Sequence, residues 1–275
     1  MRTAPSPILP TTLAVAAVAC MSIVAGPAGA QSQAPAPGAE PASPARTSPS
    51  ARRSRPVVLV QAGHLSPGEP GYLAQTGASG NPFGGEAEFN RRVRNDMVRR
   101  LRRAGVDARP LAARVEPLGV GGATFVSIHH DSPGGAAMVG HAVTGGNENY
   151  YRGQGFGTGR STPYPDSATH RAPATTVNGS VQRTSAATAR RVAAGLKRVR
   201  TRRAGARARF AGVIAPGTNR RINHFYGFYR TTAQSRVIVE VGAAPDDNRF
   251  LRRVATISAA LSRAVVADLR ARRLL

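Results

Sequence analysis

TFVSIHHDS, at Thr124–Ser132, begins as an apolar run typical of a buried strand and ends abruptly in two histidines and an aspartate. A strand that is buried on both faces of a parallel sheet is apolar along most of its length. Two other runs have the same character, PVVLV at Pro56–Val60 and RVIVEV at Arg236–Val241. The polar end of TFVSIHHDS has two interpretations, histidines held by backbone hydrogen bonds or a metal or catalytic site. The segment alone does not decide between them.

Amphipathic helical patterns lie between and after these runs. One begins near Glu86 and ends at Gly105, and it places Phe89, Val93, Met97 and Leu101 on one stripe. A second covers residues 184–199, and a third is expected to start at the caps Asp246 and Asp247. Strands that alternate with helices predict an α/β fold, a three-layer sandwich with a mostly parallel or mixed central sheet and helices on both faces. The Gly-rich span Gly134–Ser180 is predicted to be a surface loop.

The first 55 residues differ in composition from the rest. Residues 1–30 contain an early arginine, an apolar stretch and a closing AGA, which predicts a signal peptide and an exported protein, periplasmic or in the cell wall or extracellular. Lipidation at Cys20 remains an alternative to cleavage after Ala30. Residues 31–55 are rich in Pro, Ala and Ser and are predicted to be a disordered linker. Residues 56–275 then form one domain, with no stable membrane span after cleavage.

The net charge of +24 at pH 7 comes almost wholly from arginine, since Lys197 is the only lysine. Arginine usage in a GC-rich genome is one explanation, and attraction to a polyanion is the other. For an exported protein, an anionic cell-wall polymer is the expected partner and nucleic acid is not. Tryptophan is absent, so few side chains are available for base stacking. Because Cys20 is the only cysteine, any metal in the mature chain must be held by His, Asp or Glu.

Ionisable side chains stand at the ends of the three apolar runs. PVVLV leads to His64, TFVSI leads to His129, and Glu240 lies inside RVIVEV. Ligands of open α/β sheets bind at the carboxyl ends of the strands, so neighbouring strands would bring these groups together. Glu86 lies on the apolar stripe of the first helix and is expected to point toward the sheet. Each histidine also has a plain structural interpretation, and Glu86 has one as a complement to the helix N-terminus. A lone carboxylate in an apolar strand needs a partner or a catalytic task.

Four ordered blocks carry a resemblance to a known family: VVLVQAGH, GGEAEFNRRVRNDMVRRLRRAGVD, FVSIHHDS and RVIVEVGAAPDDNRFL. Together they resemble the zinc-dependent N-acetylmuramoyl-L-alanine amidases from about Pro56 to the end of the chain. That family shows PGHGG, a Glu that opens a helix with Asn four residues later, SIHAN, and LVEIGFLSN. Here GHGG becomes GHLS, SIHAN becomes SIHHD and GFLSN becomes GAAPDD. The ligand positions are kept, whereas the residues beside them differ.

The resemblance implies a zinc hydrolase with His64, Glu86 and His129 as metal ligands. Glu86 is preferred to Glu88 as the ligand because Asn90 follows Glu86 by four residues. Glu240 is then the general acid/base, and a zinc-bound water attacks the amide bond between N-acetylmuramic acid and L-alanine in peptidoglycan. Two alternatives stay open, a non-catalytic protein that binds peptidoglycan or another anionic polymer, and a zinc peptidase that acts elsewhere on the stem peptide.

Several residues near these positions are candidates for supporting the ligands or touching substrate. They are His130, Asp131, Asn90 and Arg230. In the segment INHFYGFYR at residues 222–230, Phe225 and Phe228 are candidates both for a groove wall and for the core.

Overall fold

The computed structural model describes residues 54–64, 77–113, 115, 117, 119–144, 176–219, 222 and 225–275. The chain divides into two units, Met1–Ala51 and Arg52–Leu275, and the fold described below belongs to the second. The signal peptide and nearly all of the linker fall outside the described residues and stay predictions.

A six-stranded mixed sheet forms the centre of the fold. Its strands are β1 (Val57–Ala62), β2 (Asp107–Leu111), β3 (Thr124–Asp131), β4 (Ala136–His141), β5 (Arg209–Val213) and β6 (Arg236–Ala243). Their order is β2-β1-β3-β6-β4-β5. Only β4 and β6 pair in antiparallel fashion. The three apolar runs are therefore adjacent parallel strands, and their carboxyl ends meet at one edge of the sheet.

The helices are α1 (Glu86–Arg103), α2 (Gly179–Val199), α3 (Asn248–Leu251) and α4 (Val254–Ala271), with a 3-10 helix at Tyr226–Tyr229. Buried residues of α1, α2 and α4 share one apolar cluster with alternate residues of β1, β3 and β6. The other face of these strands packs on a second cluster, to which the 3-10 helix contributes Phe228 and Tyr229. This arrangement confirms the predicted α/β sandwich around a mixed sheet. Within the described ranges, none of the helices is long and apolar enough to cross a membrane.

The predicted loop at Gly134–Ser180 is wrong in its first part, because Ala136–His141 forms the buried strand β4. This strand, AAMVGH, lacks the aliphatic run that made the other strands recognisable. Gly140 interrupts the strand pattern because neighbours come close there: a Cβ added at Gly140 would collide with Ile222 and Ile238. Residues 145–175 lie outside the described part of the chain.

The last helix does not begin at the predicted aspartate caps. The long helix α4 starts only at Val254, and the side chain of Asp247 makes no capping hydrogen bond to α3. Instead the fully buried carboxylate of Asp247 pairs with Arg200, with Nη1 and Oδ2 2.8 Å apart. It also accepts backbone N–H groups of Arg207 and Ala243. A buried charge needs such partners. These contacts join the segment that follows α2 to the end of β6.

Candidate metal centre

His64, Glu86 and His129 meet at the carboxyl edge of the sheet, as predicted. Nε2 of His64 lies 3.3 Å from Oε1 of Glu86, and Nδ1 of His129 lies 3.1 Å from the same oxygen. One donor atom from each of the three residues lies within 4.8 Å of the others. The side chains of Glu86 and His129 are buried, whereas that of His64 is 23% exposed. The cluster is therefore accessible from one side.

The backbone turns sharply where β1 delivers its histidine. Gly63 N–H donates to the carbonyl of Ile128 at 3.0 Å, which extends the pairing of β1 with β3 to the last residue before His64. His64 itself has a φ of 62°, in the left-handed region that non-glycine residues seldom adopt. Such conformations persist where the surrounding structure holds them, and they concentrate at functional sites.

Glu86 is the first residue of α1, and both of its carboxylate oxygens have fixed partners. Oε2 accepts the N–H of Ala78 at 2.7 Å. Oε1 accepts the backbone N–H of His130 at 3.1 Å and the side-chain amide of Asn90 at 3.3 Å. The same amide donates to the carbonyl of Gly63 at 3.0 Å. Asn90 therefore links the carboxylate on α1 to the end of β1, which explains why an asparagine one turn after Glu86 is useful.

The electrostatic surroundings keep Glu86 ionised. Burial by itself would raise the pKa of this carboxyl, but the neighbouring His64 and His129 outweigh that effect and lower the pKa to about 2. A carboxylate must be deprotonated to bind a metal. Glu86 is therefore available as an anionic metal ligand at neutral pH.

Besides Glu86, His129 is held by a serine, by the edge-on ring of a phenylalanine and by the close approach of a glycine. Its Nε2 lies 2.9 Å from the hydroxyl of Ser127, two residues earlier on the same face of β3. The ring of Phe225 packs edge-on against the imidazole at 5.6 Å, so Phe225 lines the site, whereas Phe228 is buried in the core. Gly63 has no Cβ, and one added there would overlap the imidazole. An Nε2–H that donates to Ser127 leaves the Nδ1 lone pair free for a metal.

Glu240 lies beside His129 on the neighbouring strand. The two residues are direct partners in the parallel register of β3 and β6. Directly paired residues of adjacent strands project from the same face of the sheet. Glu240 is only 8% exposed. The candidate general base and a candidate metal ligand are therefore neighbours on one face at one edge.

His130 points to the opposite face and joins a different set of contacts. Its Nε2 lies 2.9 Å from the amide nitrogen of Asn81, whose Oδ1 accepts the N–H of Phe83 at 2.8 Å. Its Nδ1 lies 3.1 Å from the carbonyl of Asp131. Because the amide oxygen is already engaged, Asn81 donates and His130 accepts at Nε2, which places the proton on Nδ1. The second histidine thus anchors the segment 77–85, which contains the Ala78 N–H that holds Glu86.

Removing this anchor is expected to weaken metal binding without removing a ligand. For Asn81→Ala or His130→Ala we expect zinc affinity to fall about 10- to 100-fold, the usual effect of losing a residue that orients a ligand. A chelator-competition titration measures the affinity. The double variant should lose little more than either single variant, because both changes break one contact. Additive losses would show that the two residues act separately.

Asp131 and Arg230 both make hydrogen bonds to the backbone. The carboxylate of Asp131 accepts the N–H of Ser132 at 2.7 Å and that of Ala136 at 3.3 Å, and so closes the turn between β3 and β4. Arg230 is buried, and its Nε donates to the carbonyl of Val115 at 3.0 Å. That contact ties Arg230 to the segment between β2 and β3.

Sequence reasoning missed four residues that shape the site, namely Gly63, Gly77, Asn81 and Ser127. Gly77 has a φ of +68°, and a Cβ there would lie 2.7 Å from His64 and 2.8 Å from Glu86. Of these four, only Ser127 could have been predicted from the sequence, because alternate residues of a strand share a face and Ser127 lies two residues before His129.

No protein-family model matches the chain, and no curated protein matches it. Among solved structures, the chain is similar to the N-acetylmuramoyl-L-alanine amidase AmiC2 of Nostoc punctiforme, at 15% identity and a TM-score of 0.48, over 79% of this chain and 98% of the other. It is also similar to the amidase Ami1 from Mycobacterium abscessus, at 16% identity and a TM-score of 0.47, over 78% and 98% of the two chains. A third is the CwlD amidase from Clostridioides difficile in complex with the GerS lipoprotein, at 12% identity and a TM-score of 0.45, over 79% and 100%.

Proposed function

We propose that the protein is an exported zinc hydrolase that cleaves the amide bond between N-acetylmuramic acid and L-alanine in peptidoglycan. The observation that supports this most strongly is the meeting of His64, Glu86 and His129 within 4.8 Å, with Glu240 in register beside His129. A structural role for these four residues would not require two histidines and two carboxylates at one edge of the sheet.

The donor set fits zinc. Two imidazole nitrogens and one carboxylate oxygen are the ligands of hydrolytic zinc sites, which keep a fourth position open. The partly exposed side of the cluster, at His64, gives water and substrate a way in. Zinc held by these residues would supply a Lewis acid that polarises the scissile carbonyl and makes a water nucleophilic at neutral pH.

Glu240 supplies the proton transfers in this proposal. Its carboxylate takes a proton from the attacking water and returns it to the nitrogen of the departing L-alanine. Because Glu240 projects from the same face as His129, it is placed to act on groups bound at the cluster. The anchored carboxylate of Glu86 and the oriented imidazole of His129 keep the site in one geometry while this happens.

Zinc content and product analysis test the proposal together. We expect the purified chain to bind about one zinc and to release stem peptides that begin with L-alanine from sacculi, as identified by mass spectrometry. Glu86→Gln should lose both zinc and activity. The control Glu88→Gln removes a carboxylate from the same turn of α1, where it pairs with the surface arginines Arg91 and Arg92, and should change neither.

The other outcomes identify the alternatives. Fragments cut inside the stem peptide would show a zinc peptidase. Zinc binding without any released peptide would show a protein that binds the wall but does not hydrolyse it. Either result would overturn the proposed amidase activity.

A further inference from the structure

Two grooves flank α4 on the outer side of the helix layer, away from the metal cluster. The groove between α1 and α4 has a volume of about 720 Å³ and is lined by Arg100, Arg103, Arg263 and Arg270. The groove between α2 and α4 has a volume of about 630 Å³ and is lined by Arg190, Arg191, Arg198 and Arg263. Arg263 borders both grooves, so the two form one continuous basic region across α4.

The positive charge of this region is largely uncompensated. No carboxylate lines either groove, and α2 contains no acidic residue at all. Among the described residues, the ion pairs of the groove arginines are Arg100 with Asp96 at 2.8 Å and Arg191 with Asp268 at 3.1 Å. Within the part of the chain that the structure describes, the other groove arginines have no such partner. Like charges gathered in a concave surface raise the local potential, which attracts a polyanion.

The lining also indicates which polar groups the ligand offers. Guanidinium groups only donate hydrogen bonds, and the other residues that line the two grooves are alanines, valines, one glycine and Ser262. A peptide placed there would bring N–H donors that find hardly any acceptor. A phosphodiester chain brings acceptor oxygens in the geometry that a guanidinium binds with two parallel hydrogen bonds.

Two other polyanions fit less well. Neither groove is lined by an aromatic side chain, so nucleic-acid bases would have nothing to stack on. A membrane surface is too broad to enter a groove between two helices. In the described part of the chain the only exposed large hydrophobic residues are Leu274 and Leu275, which is too little for an interfacial anchor.

We propose that the two grooves beside α4 bind a linear phosphodiester chain through its phosphates. This binding is separate from hydrolysis at the metal cluster, because none of the groove residues belongs to that cluster. The net charge suggests that the protein attracts polyanions but does not say where they bind. The proposal places that binding in the two grooves beside α4.

The test uses the full chain and a fluorescent abasic oligodeoxynucleotide, which is a phosphodiester chain without bases. Arg198→Gln, Arg263→Gln and Arg270→Gln are combined in one variant. We expect its affinity for the probe to fall at least about tenfold, and the slope of log Kd against log salt to decrease by about 2, as expected for three lost phosphate contacts on a single strand. The matched control combines Arg55→Gln, Arg209→Gln and Arg252→Gln, three exposed arginines outside both grooves, and should change the affinity less than threefold.

Four results would overturn the proposal. An equal loss in the control would show that net charge alone binds the probe. Tighter binding of oligothymidylate than of the abasic probe would indicate nucleic-acid recognition. If the groove variant lost affinity for polyglutamate as much as for the abasic probe, the grooves would not prefer phosphate. Stronger binding to phosphatidylglycerol vesicles than to the abasic probe would indicate a membrane as the ligand. Circular dichroism confirms that both variants fold, and the binding result stands whether or not the protein hydrolyses peptidoglycan.

Discussion

Glu240→Gln is expected to lower the rate of peptidoglycan hydrolysis about 10²- to 10⁴-fold while zinc stays bound. A positioned general acid/base contributes a factor of this size, and glutamine can neither take the proton from water nor return it to the amine. The side chain keeps nearly the same volume, so the packing of β6 between β3 and β4 should survive. The rate is measured on a soluble muramoyl peptide, because binding to sacculi then plays no part.

The control for this variant is Asp246→Asn, which neutralises an exposed carboxylate shortly after β6. It should hydrolyse the peptide at the rate of the unmodified chain. Metal analysis of both variants separates the possible roles of Glu240. Activity within tenfold of the unmodified chain would exclude Glu240 as the general base, and loss of zinc would make it a ligand instead.

The core of the fold was predictable because three strands are continuously apolar. β1, β3 and β6 are each buried on both faces, so their sequences carry no alternation and are conspicuous. Their polar ends indicated the site, since parallel strands bring their carboxyl ends to one edge. Glu86 followed from its place on the apolar stripe of α1. These are local signals, and the structure confirms the sandwich that they predict.

The sequence predicts the direction of the His130 side chain but not its hydrogen-bond partner. Side chains alternate along a strand, so His129 and His130 had to project from opposite faces, and only one of them was available to the site. The partner of His130 was not visible. Asn81 lies 49 residues earlier, in a segment with no periodic pattern, and no local rule connects it with β3.

Asp247 shows why a correct local pattern gave a wrong prediction. An aspartate just before a helical stretch is the usual sign of an N-cap. Here the carboxylate turns inward, because Arg200 at the end of α2 reaches it and donates also to the carbonyl of Val241. The arginine lies 47 residues away in the sequence, so only the tertiary structure distinguishes a cap from a buried ion pair.

Gly63→Ala is expected to reduce zinc affinity about 100-fold or more, although residue 63 is not a ligand. A Cβ at this position would lie within 3.0 Å of three atoms of the His129 imidazole. Neither partner can move away easily. The N–H of Gly63 is bonded to Ile128, and its carbonyl accepts the amide of Asn90, which also holds Glu86. The imidazole must therefore turn away from Glu86, and the loss should at least match the upper range for residues that orient a ligand.

Gly85→Ala is the matched control, because it makes the same change next to a ligand. A Cβ there meets nothing within 4 Å, and the φ of −152° suits alanine. Competition with a zinc-binding dye should therefore give this variant the affinity of the unmodified chain. If Gly63→Ala bound zinc as tightly as the unmodified chain, His129 would have room to move without leaving the metal. The tight placement of His129 by Gly63 and Ser127 would then not be needed for zinc binding. If Gly63→Ala lost zinc but kept its fold by circular dichroism, the absence of one methyl group at the end of β1 would be a requirement for the metal centre.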